Sequence, residues 1–62
     1  MFKFELWMEG NCLTESDYDY DTDQEAMEDG IESAKDKIML WKMEKAWDGE
    51  TIDDFDIRVK EA

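Results

Sequence analysis

One half of this chain is almost purely acidic, and this charge limits both how the chain can fold and what it can bind. Between Phe4 and Ala34 the sequence holds eleven acidic residues and no basic one. Elsewhere eight acids nearly balance seven bases, so the net charge of −12 divides into −11 from this half and −1 from the rest. Such a block repels itself, nucleic acid and anionic membrane surfaces. The charge therefore indicates a basic partner protein.

The length and the aromatic content predict one small folded domain. Sixty-two residues are enough for a single domain, residues 1–62, with one modest core. Acidic disordered segments are poor in aromatic residues, whereas this chain has eight, of which three are tryptophans. We therefore expect a folded domain that carries an acidic face.

The residues that the chain lacks disfavour several classes of function. It has no histidine and a single cysteine, Cys12, so neither an internal disulfide nor a zinc site of the usual kind is expected. Cys12 has no nearby base to activate its thiol, Ser16 and Ser33 have none either, and no glycine-rich phosphate loop is present. We expect no catalytic residues, no metal and no cofactor, and hence a protein that is not an enzyme.

The N-terminal segment indicates neither export nor membrane insertion. It lacks the uninterrupted apolar run of a signal peptide, and no stretch approaches the roughly 20 apolar residues of a membrane span. We therefore expect a cytoplasmic protein.

Alternating apolar residues predict strands at both ends of the chain. Residues 2–8 and residues 55–59 each have the period of two that is typical of a half-buried strand. Gly10 and Asn11 form a predicted hairpin turn after the first strand, because both tolerate positive φ. Residues 13–20 then return as a second strand, with a disordered acidic loop as the alternative.

The segment between the second and last strands predicts a helix. Thr22 and Glu25 have the spacing of a capping box, in which both side chains satisfy free backbone N–H groups. Gly49 is the predicted C-terminal stop. The order β-β-α-β predicts an α+β fold, in which a mainly antiparallel sheet of about three strands has one long helix on one face. The apolar stripe expected to face the sheet comprises Met27, Ile31, Ala34, Ile38 and Trp41.

The second half of this helix is also apolar on the face opposite the stripe, which is unusual for a surface helix. One interpretation is a bend or break after about Trp41, which would let these residues cover the sheet. The other is an exposed patch that docks a partner or a second copy of the chain, in a homodimer, and that Trp7 could join. The residues of this apolar patch are Met39, Leu40, Met43 and Trp47.

This organisation resembles that of short acidic proteins encoded by phages and mobile elements. The shared features are an alternating first strand, an acidic segment that caps a helix, and an alanine-containing helix. They are carried here by Phe2, Phe4, Leu6, residues 21–26, Ile31 and Ala34. In size and charge the chain is also similar to phage-encoded inhibitors of host defence, the DNA-mimic anti-restriction and anti-CRISPR proteins. That resemblance implies an inhibitor that acts in the cytoplasm of the host cell.

The spacing of the acids gives this resemblance a physical basis. Alternate residues of an extended segment project on one side at intervals of about 6.6 Å, and DNA offers one phosphate per about 3.4 Å of axis on each winding strand. A row of carboxylates can therefore replace phosphates in a basic groove. We predict that the chain blocks the binding site of a basic nucleic-acid-binding protein and binds neither nucleic acid nor membranes itself. The predicted contact residues, here called the acidic face, are Glu15, Asp17, Asp19, Asp21, Asp23, Glu25, Glu28, Asp29 and Glu32.

Two other interpretations of the same acids stay open. In the first, the acids are structural: negative side chains near a helix N-terminus interact favourably with the helix dipole, and surface acids improve solubility. The dipole does not explain the acids that precede the helix. Four acids also have the spacing of ligands in an EF-hand-like calcium loop, namely Asp17, Asp19, Asp21 and Glu28. Thr22 stands where that loop requires glycine, and no helix is predicted before it, so the calcium motif lacks its structural context.

Overall fold

Three antiparallel strands form one sheet, and a single long helix packs across one of its faces. A computed structural model describes all residues, Met1–Ala62. The strands lie in the order β2-β1-β3, so β1 is central, and the α+β class and the ββαβ order are as predicted. The elements are β1 (Phe2–Met8), β2 (Asn11–Glu15), α1 (Asp23–Met43), a short 3-10 helix (Ile52–Asp54) and β3 (Asp56–Glu61).

The alternation in β1 and β3 assigns the two faces of the sheet. Phe4 pairs with Val59 and Leu6 pairs with Ile57, so these four apolar side chains point to the helix side. The residues between them point to the face away from the helix. The sequence pattern predicted both strands because this alternation is a local property. Phe55, predicted inside the last strand, lies just before it and is buried.

The hairpin turn lies one residue earlier than predicted. Its central residues are Glu9 and Gly10, with φ of 52° and 81°, while Met8 pairs with Asn11. Positive φ at both central positions belongs to the primed turns whose twist matches that of the flanking strands. Asn11 therefore begins β2 instead of turning the chain.

β2 ends at Glu15, so the prediction of a strand over residues 13–20 is wrong in its second part. Residues 17–19 leave the sheet, and the chain returns at Tyr20, which forms an isolated bridge with Phe2. Two backbone hydrogen bonds hold this bridge, from Phe2 N to Tyr20 O at 2.8 Å and from Tyr20 N to Phe2 O at 2.7 Å. Residues 17–19 thus form a short excursion from the sheet, that is, a loop whose two ends are hydrogen-bonded to β1. The segment is therefore neither a continuous strand nor a disordered loop.

Helix α1 begins where the capping pattern predicts. The Thr22 hydroxyl accepts a hydrogen bond from the Glu25 N–H at 3.1 Å and donates one to the Glu25 carboxylate at 3.2 Å. In a full capping box the Glu25 carboxylate would accept a hydrogen bond from the Thr22 backbone N–H. Here it accepts one from the Thr22 hydroxyl instead. No helix in the structure has both the length and the apolar character needed to span a bilayer.

The helix ends at Met43, so the predicted stop at Gly49 is wrong. Lys45 adopts the left-handed conformation, with φ of 58°. The Ala46 N–H then bonds to the Trp41 carbonyl at 2.8 Å, and the Lys45 N–H bonds to the Lys42 carbonyl at 3.2 Å. This pair of bonds is the Schellman motif, in which the left-handed residue is usually glycine. The helix thus ends two residues beyond Trp41, close to the predicted break, and the chain reverses at Lys45.

The helix approaches the sheet through small residues. Ala26, Gly30 and Ala34 are buried, one turn apart, whereas Met27 of the predicted stripe is 36% exposed and Ile31 lies at the margin. Small side chains let the helix backbone come close to the sheet. The helix face that is buried therefore lies one residue before the face that carries the large apolar residues Met27 and Ile31. The prediction of Met27 as a core residue is wrong for this reason.

The core consists of two small clusters along the helix. Phe4, Tyr20 and Ala26 form the first, and the second is built around Leu6, Ala34 and Phe55, with Trp41 stacked on Phe55 at a ring distance of 5.8 Å. Eight of the 62 residues are buried, so the core of the domain is small.

Candidate functional site

A groove of about 340 Å³ runs between the middle of α1 and the end of β2 with the segment that follows it. Its floor contains Phe4 and Tyr20 from the first core cluster. No basic residue lines it. Its carboxylates come from both sides, two from the strand side and three from the helix, and they are Glu15, Asp17, Asp29, Glu32 and Asp36. We call this feature the acidic groove.

Ser16 sets the strand-side wall of the acidic groove. Its backbone N–H donates to the Phe4 carbonyl at 3.0 Å, and its hydroxyl accepts from the Phe4 N–H at 3.3 Å. Ser16 is buried and fixes the chain to β1 immediately before the excursion. Asp17 and Tyr18 therefore project outward from a firmly anchored point.

The helix-side wall follows from helical spacing. Asp29, Glu32 and Asp36 are three and four residues apart, which places their side chains in one row on α1. The row faces the strand side because Gly30 and Ala34 face the sheet. Asp36 was absent from the predicted acidic face. Its sequence neighbours are lysines, but its spacing from Glu32 was a signal that could have identified it.

Two tyrosines lie at one end of the acidic groove. Tyr20 is buried, and its ring lies 5.1 Å from that of Tyr18 and 6.1 Å from that of Phe4. Burial, followed by the neighbouring Asp29 carboxylate and Tyr18, raises the pKa of the Tyr20 hydroxyl above its usual value of 10.0. The hydroxyl therefore stays protonated at neutral pH. Tyr18, by contrast, is 62% exposed.

The structure divides the predicted acidic face between separate places. Glu15, Asp17, Asp29 and Glu32 line the acidic groove, whereas Asp19 lies 3.8 Å from the Lys3 ammonium. The remaining four members, at positions 21, 23, 25 and 28, cluster around the start of α1 and lie outside the groove. A single straight row over residues 17–23 does not form, because the chain bends at residues 17–18 and 21–22.

Most of the acidic half has no compensating cation within the chain. Of its eleven acids, three form ion pairs: Glu5 with Lys60, Asp19 with Lys3, and Glu32 with Lys35. The other eight acids have no cationic group within 4.0 Å. They are Glu9, Glu15, Asp17, Asp21, Asp23, Glu25, Glu28 and Asp29.

The EF-hand-like spacing does not produce a metal site. No group of three or more carboxylates or cysteines is arranged to hold a metal ion. Asp19 pairs with Lys3, and α1 begins at Asp23, inside the span that a calcium loop would occupy.

The apolar patch is exposed. Met39, Leu40, Met43 and Trp47 have exposed fractions of 60%, 47%, 75% and 43%, so the reversal of the chain after α1 does not fold them under the sheet. The Trp47 indole N–H donates to the Glu50 carbonyl at 2.9 Å.

Trp7 does not join the apolar patch. It lies on the sheet face that points away from the helix, and its ring is covered by the Arg58 guanidinium at 4.2 Å. Its indole N–H donates to the Glu5 carboxylate at 3.2 Å. The hydrogen bond from Lys60 to Glu5, and then that from Trp7, lower the pKa of the Glu5 carboxyl.

Comparison of the chain with family models, with curated proteins and with solved structures found no match.

Proposed function

We propose that this protein is a non-catalytic inhibitor that occupies the basic nucleic-acid-binding site of another protein. The observation that carries the proposal is that one half of the chain has eleven acids and no base of its own, and that eight of these acids have no cationic group within 4.0 Å. A folded domain that retains so much uncompensated charge gains free energy when a basic surface supplies the missing cations. The DNA-mimic inhibitors of phages, which the chain resembles, act on this principle, and a phage-encoded chain would act in the host cytoplasm.

The proposed attraction has the same physical origin as DNA binding. A basic groove that binds DNA releases condensed counterions, and its affinity falls steeply with salt. Carboxylates that replace phosphates rely on the same long-range attraction, which salt screens within about 10 Å at 0.1 M. Binding is therefore expected to be strong at low salt, weak at moderate salt, and competitive with nucleic acid.

Affinity capture from a host lysate tests the proposal directly. The tagged chain is immobilised, and bound proteins are eluted first with stepwise salt and, in a parallel sample, with added DNA or RNA. The proposal predicts a nucleic-acid-binding protein that elutes at moderate salt and is displaced by nucleic acid. A captured protein that nucleic acid fails to displace would contradict it.

Charge reversal separates specific contacts from net charge. Asp17→Lys with Asp21→Lys changes two acids that have no intrachain partner, and should abolish capture while leaving the fold intact or more stable. Asp19 is left unchanged because it pairs with Lys3. The matched control, Asp48→Lys with Asp53→Lys, alters the net charge equally outside the acidic half and should retain capture. Equal loss in both variants would show that only net charge matters.

A second candidate function is an interaction module that binds through the apolar patch. The observation in its favour is that four of the eight exposed large hydrophobic residues belong to this patch, at the end of α1. Apolar docking responds weakly to salt. A partner that remains bound at high salt and is lost on Met39→Glu with Met43→Glu would establish this function in place of the first.

A further inference from the structure

The aromatic rings at the surface differ in whether a cation covers them. The Arg58 guanidinium covers Trp7 at 4.2 Å, and the Lys42 ammonium covers Trp47 at 4.6 Å. Tyr18 is 62% exposed and has no cation on its ring. It projects among the carboxylates of the acidic groove, which contains no base. An exposed ring beside carboxylates attracts a cation, and the side of the Tyr18 ring away from Tyr20 is open to one.

The acidic groove is concave, and this shape restricts the partner. Its carboxylates stand on two walls, with Asp17 on the strand side and Asp29 and Asp36 on the helix side. A flat basic surface reaches the rims only, whereas a long side chain on a projecting element reaches both walls. The grooves of DNA likewise present a row of negative charge on each side, and basic side chains enter between them.

We infer that the acidic groove binds an arginine side chain from a projecting element of the partner, with the guanidinium on the ring of Tyr18 and its N–H groups directed to carboxylates of both walls. This inference rests on the proposed function and specifies its contact. Arginine fits better than lysine because its planar group stacks on an aromatic ring and donates to two carboxylates at once. A lysine ammonium can also lie on an aromatic ring, as Lys42 does on Trp47, but it has no planar group that donates to two carboxylates at once.

Two peptides of equal charge test the choice of side chain. The full-length, ¹⁵N-labelled chain is titrated with a short oligo-arginine peptide and, separately, with oligo-lysine of the same length, while amide shifts are recorded by NMR. Oligo-arginine should bind several-fold more tightly and should shift amides within residues 15–20 and 29–36. Equal affinities, with shifts spread evenly over all acidic segments, would overturn the inference.

Matched variants test the groove itself. Asp29→Asn removes a wall charge and keeps a hydrogen-bond acceptor beside Tyr20, whereas Glu28→Gln removes the neighbouring charge outside the groove. The loss of one charge-assisted contact predicts about tenfold weaker oligo-arginine binding for Asp29→Asn. Glu28→Gln should change binding by less than about twofold, since an exposed charge contributes little. Equal effects of the two substitutions would overturn the inference.

Substitutions of Tyr18 test the role of its ring. Tyr18→Ala should remove the preference for oligo-arginine over oligo-lysine, while Tyr18→Phe should retain it, because the ring and not the hydroxyl makes the contact. Tyr18 is exposed, so neither change should unfold the domain. A preference that persists in Tyr18→Ala would contradict the assigned role.

The same variants distinguish this inference from the proposed function. Unchanged lysate capture by Asp29→Asn and Tyr18→Ala, with capture by wild type still displaced by DNA or RNA, would overturn the arginine groove and leave the inhibitor proposal intact. If oligo-arginine binds the groove as described while the protein captured by wild type resists displacement by nucleic acid, the groove stands and the inhibitor proposal fails.

Discussion

Gly30 of α1 and Ile57 of β3 approach each other so closely that a methyl group added to Gly30 would lie 2.6 Å from Cγ2 of Ile57. The same methyl group would lie 3.4 Å from the ring of Phe4. The helix thus presses directly on the sheet between the two core clusters, because Phe4 belongs to the first and Ile57 packs against the second. This contact fixes which side of α1 faces the sheet, and hence which side forms the helix wall of the acidic groove.

Gly30→Ala is predicted to destabilise the domain, although alanine favours a helix over glycine by about 1 kcal/mol. Overpacking against a β-branched side chain costs about 1–3 kcal/mol, so the net loss should be about 1 kcal/mol. Urea unfolding followed by circular dichroism measures the change. In an Ile57→Leu background, which removes the branch at Cβ, the cost of Gly30→Ala should fall. A Gly30→Ala protein more stable than wild type would show that the contact relaxes freely.

The sequence predicted those parts of the fold that depend on local pattern. The alternation in β1 and β3 and the cap at Thr22 each depend on a few adjacent residues. The sequence therefore predicted all three, and the structure contains them. The line of closest helix packing was not predicted, because Ala26 and Gly30 matter for their small size and not for their hydrophobicity. The helix end was missed as well, because Lys45 takes the left-handed conformation that sequence rules assign to glycine.

The acidic groove could be predicted in charge but not in shape. The acids themselves are evident in the sequence, whereas the groove depends on two long-range anchors. Ser16 is bound to Phe4, and Tyr20 is bound to Phe2, which forces residues 17–19 out of the sheet. Residues that pair but lie this far apart in the sequence leave no pattern in a short stretch of sequence, so the shape of the groove could not be predicted.

Lys45→Gly is predicted to stabilise the protein. A non-glycine residue in the left-handed conformation costs about 1–2 kcal/mol, and the greater freedom of glycine in the unfolded chain offsets part of that gain. The net increase in unfolding free energy should be about 0.5–1 kcal/mol, measured by urea unfolding. Lys45→Ala is the matched control, because it removes the same charge and keeps Cβ. Equal stabilisation by both would point to charge and not to conformation.

Glu9→Asn should also stabilise the domain. Glu9 has φ of 52° at the first central position of the hairpin turn, where asparagine followed by glycine is the preferred pair. The thermal midpoint should rise in Glu9→Asn by more than in Glu9→Gln, which removes the same charge without improving the turn. If glutamine raises the midpoint as much as asparagine, relief of charge repulsion is the cause.

The bond between Glu5 and Lys60 predicts a defined pH dependence. The Lys60 ammonium, and then the Trp7 indole, lower the pKa of Glu5 below 4.5, so its contribution to stability is present above pH 4.5 and is lost as the pH falls through the folded-state pKa. Glu5→Gln should therefore be less stable than wild type at neutral pH, and the difference in thermal midpoint should shrink in acid. Lys60→Gln should show the same convergence, since it removes the same pair. A difference that stays constant as the pH falls through the folded-state pKa would assign the effect to packing.

Salt should stabilise the isolated domain even as it weakens the proposed binding. Eight acids of the acidic half have no intrachain cation and repel one another, and this repulsion is screened when the Debye length falls from about 30 Å at 0.01 M to about 10 Å at 0.1 M salt. The thermal midpoint should rise over this range of sodium chloride.

At low salt, Asp21→Asn should raise the midpoint as well, because it removes an unpaired charge. Asp19→Asn should not raise it, since Asp19 pairs with Lys3 at 3.8 Å. A midpoint that falls with added salt would mean that attractive pairs outweigh repulsion, and the uncompensated charge on which the proposed function depends would then be too small to drive binding.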